Sequence, residues 1–149
     1  MANREIAKKR ATFDYLTRLS WDHDYLAKKE IFLELRAGDK KMATVAQEYE
    51  RLKKTGDDED NSFRDALKNH SAVRTILNEY EAIAVGIFTN TLSEEIVARN
   101  HRQAIMDAVQ SCEEFIEVTR KNATVKDPSK IYCECQKLVE NWKNGTKSV

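Results

Sequence analysis

SAVRTILNEYEAIAVGIF, residues 71–88, sets Val73, Ile76, Leu77, Tyr80, Ile83, Ala84, Ile87 and Phe88 at steps of three and four. That spacing winds apolar side chains onto one broad face of an α-helix, whereas the two-residue period of a strand would divide them between two sides. Ser71 stands where an N-cap would accept a free backbone N–H, so the stretch reads as a helix of its own and as the central core helix. Asn78, Tyr80 and Glu81 bring polar groups to it. Tyr80 falls on the core side, and Asn78 and Glu81 flank that side, where a covering helix obliges them to find partners. Glu81 is expected to pair with Arg74, Arg99 or Arg102, and Asn78 to bridge two helices, which makes the three a structural polar cluster.

Outward from this helix the pattern stays helical. A first helix is expected over about 4–19, with Ile6, Phe13, Leu16 and Leu19 inward, followed by Ser20 as the N-cap of a second helix from Trp21 to Arg36 that buries Tyr25, Leu26, Phe32, Leu33 and Leu35. Met42, Val45, Tyr49 and Leu52 make a narrow stripe on a polar helix expected at the surface, open to a symmetric homodimer. TGDDEDNS, residues 55–62, joins a helix-stopping glycine to four acids and reads as a loop, with a short helix after it from Ser62 to Lys68. Thr91 and Glu94 have the spacing of a capping box at the start of a helix carrying Ile96, Ile105, Val109, Cys112 and Ile116, which is either one helix or two broken near residues 99–102. Asp127 and Pro128 open a last helix through Ile131, Cys135, Leu138, Val139 and Trp142 to about Lys143. The expected fold is all-α, an irregular bundle of six or seven helices in a single domain over 1–149.

Composition agrees with that fold. Four glycines and one proline in 149 residues, 34% of them charged, favour long helices with solvated faces over the many tight turns of a β fold. Lys plus Arg and Asp plus Glu both number 25, so no net charge draws the chain to nucleic acid or to an anionic membrane. Up to Lys54 there are 13 basic and 9 acidic residues, and beyond it 12 and 16, a mild dipole. The N-terminus is too charged for a signal peptide. The longest uncharged run, residues 82–93, falls well short of the roughly 20 residues a spanning helix needs. Three cysteines, an odd number, fit a reducing compartment, and a cytoplasmic location follows as the expectation.

Motifs for chemistry are missing where chemistry would need them. No histidine has a glutamate three residues before it, so the di-iron pattern is absent. Cys133 and Cys135 lean to different sides of a helix, with Cys135 expected in the core and Cys133 at its margin, and no metal site follows. The scattered glycines build no phosphate-cradling loop, and neither a catalytic residue nor a cofactor is expected. Two alternatives stay open: a hydrolase or nucleotide-handling enzyme built from Glu81, Arg99, His101 and Arg102, and nucleic-acid binding through a basic face of Lys8, Lys9 and Arg10 with Lys28 and Lys29. Candidate partner contacts are that basic face and the acids Asp57, Asp58, Glu59 and Asp60. Trp21, Trp142 and Phe63 would each anchor a partner if exposed, although both tryptophans continue apolar patterns and are expected inside.

Three stretches, residues 8–36, 73–97 and 108–121, together resemble the domain of unknown function 4760 family, most specifically in Leu77-Asn78-Glu79-Tyr80-Glu81 followed by Ile83-Ala84-Val85-Gly86-Ile87. The resemblance implies a small helical protein of bacterial or phage type and transfers no catalytic residue. The membrane segment of some members has no counterpart here. A helical interaction or regulatory protein, encoded by a phage or prophage and acting on a host protein complex, is the expected function.

Overall fold

The computed structural model describes residues 2–55 and 61–148, and the expected acidic loop Asp57–Asp60 lies outside them. Helix α1 spans Ala2–Trp21, α2 His23–Ala37, α3 Met42–Thr55, α4 Ser62–Phe88, α5 Glu94–Ser111, α6 Glu113–Asn122 and α7 Cys133–Lys143, with a 3₁₀ turn at Pro128–Lys130. There is no strand among the described residues. Helix α4 is the axis: α2, α3 and α7 pack most closely on it, and α6 closes against α3. Val73, Ile76, Leu77, Ile83, Ala84 and Ile87 form its buried spine, as their spacing requires.

Helix α4 is longer than the apolar pattern predicts. Ser71 is no cap, and the short helix from Ser62 joins it in one run of 27 residues. Its buried stripe continues backward through His70 and Ala66, since the imidazole stacks on Tyr49 with ring centroids 3.7 Å apart and meets Phe115 at 5.3 Å. An aromatic ring between two others behaves as a core side chain whatever its polarity. Helix α3 is correspondingly not a surface helix. Met42, Val45, Ala46 and Leu52 are buried against the chain's own α4 and α6, so this stripe is not open to a second copy.

Other boundaries move by a few residues for physical reasons. Helix α1 runs on to Trp21, and Asp22, rather than Ser20, caps α2 by accepting the Tyr25 N–H at 3.0 Å; Ser20 donates back to Thr17 O. Ser93, rather than Thr91, caps α5 through the Ile96 N–H. Thr91 donates instead to the carbonyl of Gly86, where Leu92 folds back so closely that a Cβ on this glycine would sit 2.5 Å from Leu92 Cδ1. Residues 99–102 stay helical, and the bend falls at Cys112, between α5 and α6. Asp127 and Pro128 open only the 3₁₀ turn, after which Tyr132, at φ 57°, reverses the chain into α7.

The inward faces of α1 and α2 are also rotated from expectation. Thr12 and Leu16 are buried, while Phe13 is 65% and Ile6 59% exposed. Tyr25 and Phe32 are buried, while Leu26 and Leu33 are exposed. Thr12 tolerates burial because its hydroxyl donates to Lys8 O at 2.8 Å and accepts the Ser93 N–H at 2.7 Å.

Candidate functional site

The polar cluster on α4 serves α7. Tyr132 heads α7 without a side-chain cap of its own, leaving the first N–H groups of the helix without acceptors. Glu81 supplies them from across the core: Oε2 accepts the Cys135 N–H at 2.8 Å and Oε1 the Glu134 N–H at 3.1 Å. A carboxylate at a helix N-terminus also meets the positive end of the helix dipole. The expected arginine partner is therefore replaced by two backbone donors. Asn78 bridges helices as expected, accepting the Tyr132 hydroxyl at 2.9 Å and so helping to hold a left-handed conformation that a bulky residue adopts at a cost of about 1 kcal/mol or more. Tyr80 is buried beside Tyr25, and burial raises the pKa of both phenols. Glu79, which the sequence reading left aside, accepts the Tyr15 hydroxyl at 2.7 Å and ties α1 to α4.

The residues of the enzyme alternative do not converge. Arg102 donates to Trp142 O at 2.9 Å, at the C-terminal end of α7, so Glu81 and Arg102 are separated by the length of that helix, about 16 Å. Arg99 pairs with Glu95 at the surface. His101 is half-buried on α5, and its pKa is lowered by burial and by Lys29. Carboxylate at the N-terminus and guanidinium at the C-terminus are the signs the α7 dipole prefers. These charges hold a helix.

Three of the five cations of the basic face, Lys8, Lys9 and Lys28, are paired within the chain. Lys8 meets Glu5 and Asn90, Lys9 meets Glu95 at 3.6 Å, and Lys28 meets Asp24 at 3.2 Å. A groove of about 740 Å³ runs between the start of α1, the α4–α5 turn and the C-terminal tail, and its charged groups other than Lys147 already have partners. Glu94 there accepts the indole N–H of Trp142 at 3.0 Å and the Ser148 N–H at 3.0 Å. Trp142 is in the core as expected; Trp21, 76% exposed, is not. Phe63 is half-buried. Cys112 and Cys135 are buried, and burial pushes the Cys112 thiol up to about 12, while Cys133 lies at the margin, as its helical position predicts.

A second groove, of about 500 Å³, opens beside the cluster, with Asn78, Glu81 and Tyr132 in its wall and His70 at its base. His70 is 8% exposed, and burial, with Arg74 and Lys53 nearby, lowers its pKa to about 4, so the ring is neutral at pH 7. Among the described residues no group of three or more His, Cys, Asp or Glu side chains is placed to hold a metal ion, and no helix is long and apolar enough to cross a membrane.

The model of one family, a domain of unknown function (DUF4760), matches residues 1–142, which takes in the cluster, the groove beside it and nearly all of α7. The chain belongs to the DUF4760 family. The match runs through residue 142, so α7 is part of the family unit. No curated protein and no solved structure matches this DUF4760 chain.

Exposed apolar side chains are the other unusual feature. Ile6, Phe13, Trp21, Leu26 and Leu33 all lie on α1 and α2. Phe13 follows buried Thr12, Leu26 follows Tyr25 and Leu33 follows Phe32, so each stands about 100° round the helix from a core position, on the same-handed flank of both helices. Ile6 and Phe13, like Leu26 and Leu33, are seven residues apart and share a bearing.

Proposed function

We propose that this DUF4760 protein is a non-enzymatic interaction or regulatory protein that binds another protein through the outer flank of α1 and α2. The observation that supports it is the gathering of Ile6, Phe13, Trp21, Leu26 and Leu33, all exposed, on two consecutive helices. Covering each of these side chains stabilises a complex by about 1.5–3 kcal/mol before the costs of association, and aromatic side chains are the commonest anchors of such contacts. Lys9 with Glu95 and Lys28 with Asp24 provide a polar rim. The phage or prophage setting implied by the resemblance makes a cytoplasmic host complex the partner class.

The test compares two baits in host lysate, the native chain and a Phe13→Glu, Trp21→Lys double variant, with thermal unfolding as the control on folding. A protein retained by the native chain and lost by the folded variant supports the reading. Identical retention by both sinks it. Sedimentation equilibrium of the same pair identifies the other occupant of the flank, a second copy of the chain, if the native protein self-associates and the variant does not.

A further inference from the structure

We propose that the groove beside His70 binds a small oxyanion-bearing molecule, a phosphate or carboxylate, held by Arg74 with Lys53 and Lys130. The inference is independent of the protein-binding flank on α1 and α2. It starts from His70, a residue only 8% exposed whose side chain has no hydrogen-bond partner among the described residues. Among the described residues no side-chain nitrogen or oxygen is both fully enclosed and unpartnered, so the imidazole nitrogens must reach the groove that the ring lines. Nitrogens that the chain leaves without a partner are open to a polar group seated in the groove. Tyr49 stacks on its face and Phe115 packs against it at a tilt, which holds the plane of the ring and leaves its edge as the interacting part.

Three cations line the same groove. Arg74 is exposed, and neither it nor Lys53 or Lys130 makes an ion pair among the described residues, in contrast to Lys8, Lys9, Lys28 and Lys40, which all do. Lys53 lies 5.7 Å from the centroid of the Tyr49 ring that stacks on His70. Glu50 and Glu81 also line the groove, but both oxygens of Glu81 are turned to the backbone N–H groups of α7. Cationic donors therefore outnumber carboxylates, and a volume of about 500 Å³ is in the range of small-molecule sites. Arg74 offers the planar fork that oxyanions accept from two N–H groups at once.

The experiment uses the full chain with ¹⁵N-labelled histidine and arginine side chains at pH 7. It is titrated separately with inorganic phosphate and with citrate, ionic strength being matched by chloride. Saturable movement of the His70 ring resonances with either anion, without matching movement of His23 and His101, is the expected result, and the more effective anion names the ligand class. Arg74→Gln weakens binding about tenfold, the loss of one charge-assisted contact, and leaves the melting temperature unchanged because the side chain has no ion-pair or hydrogen-bond partner among the described residues to lose. Lys130→Gln weakens it by a smaller factor. The proposal is overturned if neither anion moves His70 saturably, if all three histidines drift together, or if Arg74→Gln titrates like the native chain.

Discussion

The two ends of α7 and the outer flank of α1 and α2 reverse the usual places of polar and apolar groups. At α7, Glu81 and Arg102, the charges with most resemblance to catalytic groups, lie against backbone N–H and C=O groups and complete a helix. On the flank, Phe13, Trp21 and Leu33, which resemble core residues, face water. A charge within the fold here has a structural task already, and apolar surface outside it is what remains free to act. The cost of removing each group distinguishes the two regions.

Glu81→Ala should have the largest effect. It leaves two N–H groups of α7 without acceptors beneath a packed helix, and losing two charge-assisted bonds costs about 3 kcal/mol in urea unfolding. Glu81→Gln, which keeps one oxygen acceptor, should cost about half as much. Hydrogen exchange locates the damage: the amides of Glu134 and Cys135 lose protection first, and uniform loss across all helices would mean that Glu81 acts elsewhere. Gly86→Ala comes next at about 2 kcal/mol, because the added methyl overlaps Leu92 and one of the two must move. A simple gain in stability from better helix propensity would refute that packing.

How legible this comparison was in the sequence depends on which competitor each residue met. The spine of α4 was readable because eight apolar positions agree on one period, and Asn78 as a bridge followed from the same phase, as Cys135 in the core followed from the period of α7. On α1 the phase was ambiguous. Thr12 and Phe13 lie a residue apart, and the hydroxyl of Thr12 is satisfied only by Ser93, a residue 81 positions away that no local pattern reveals. His70 lies outside the apolar stretch at 71–88, and the two rings that make it a core side chain come from α3 and α6. Glu94 had the spacing of a capping box, yet Trp142 and Ser148 claimed its carboxylate. Partners supplied by distant helices decided these cases, and the family match, extensive as it is, carries no activity to supplement them.

His70 sits between the two regions in kind, a polar ring used as core, and its titration measures that compromise. Its folded pKa of about 4 lies below the ordinary value of 6.5, so the unfolded chain takes up a proton more readily than the fold does. The stability this group contributes is complete above pH 6.5 and is lost as pH falls towards 4. With Lys53 and Arg74 close by and the ring edge open to the groove, about 1 kcal/mol is a reasonable share. His70→Gln should be less stable than the native chain at pH 7 and should show a shallower decline between pH 6.5 and 4.5. Parallel declines in the two proteins would assign the acid sensitivity to carboxylates instead.

The smallest effect is expected from the most apolar changes. Phe13→Glu and Trp21→Lys remove two large aromatic side chains, changes that would cost 3–5 kcal/mol each in a packed core, by a rough standard. Here Phe13 and Trp21 are mostly in water, Glu is a good helix former, and a lysine in the last turn of α1 suits the negative end of its dipole. Each variant should therefore unfold within about 0.5 kcal/mol of the native chain. Less adsorption to hydrophobic resin should accompany that unchanged stability. A loss of 2 kcal/mol or more, by contrast, would place Phe13 or Trp21 inside the fold and remove the flank on which partner binding is argued.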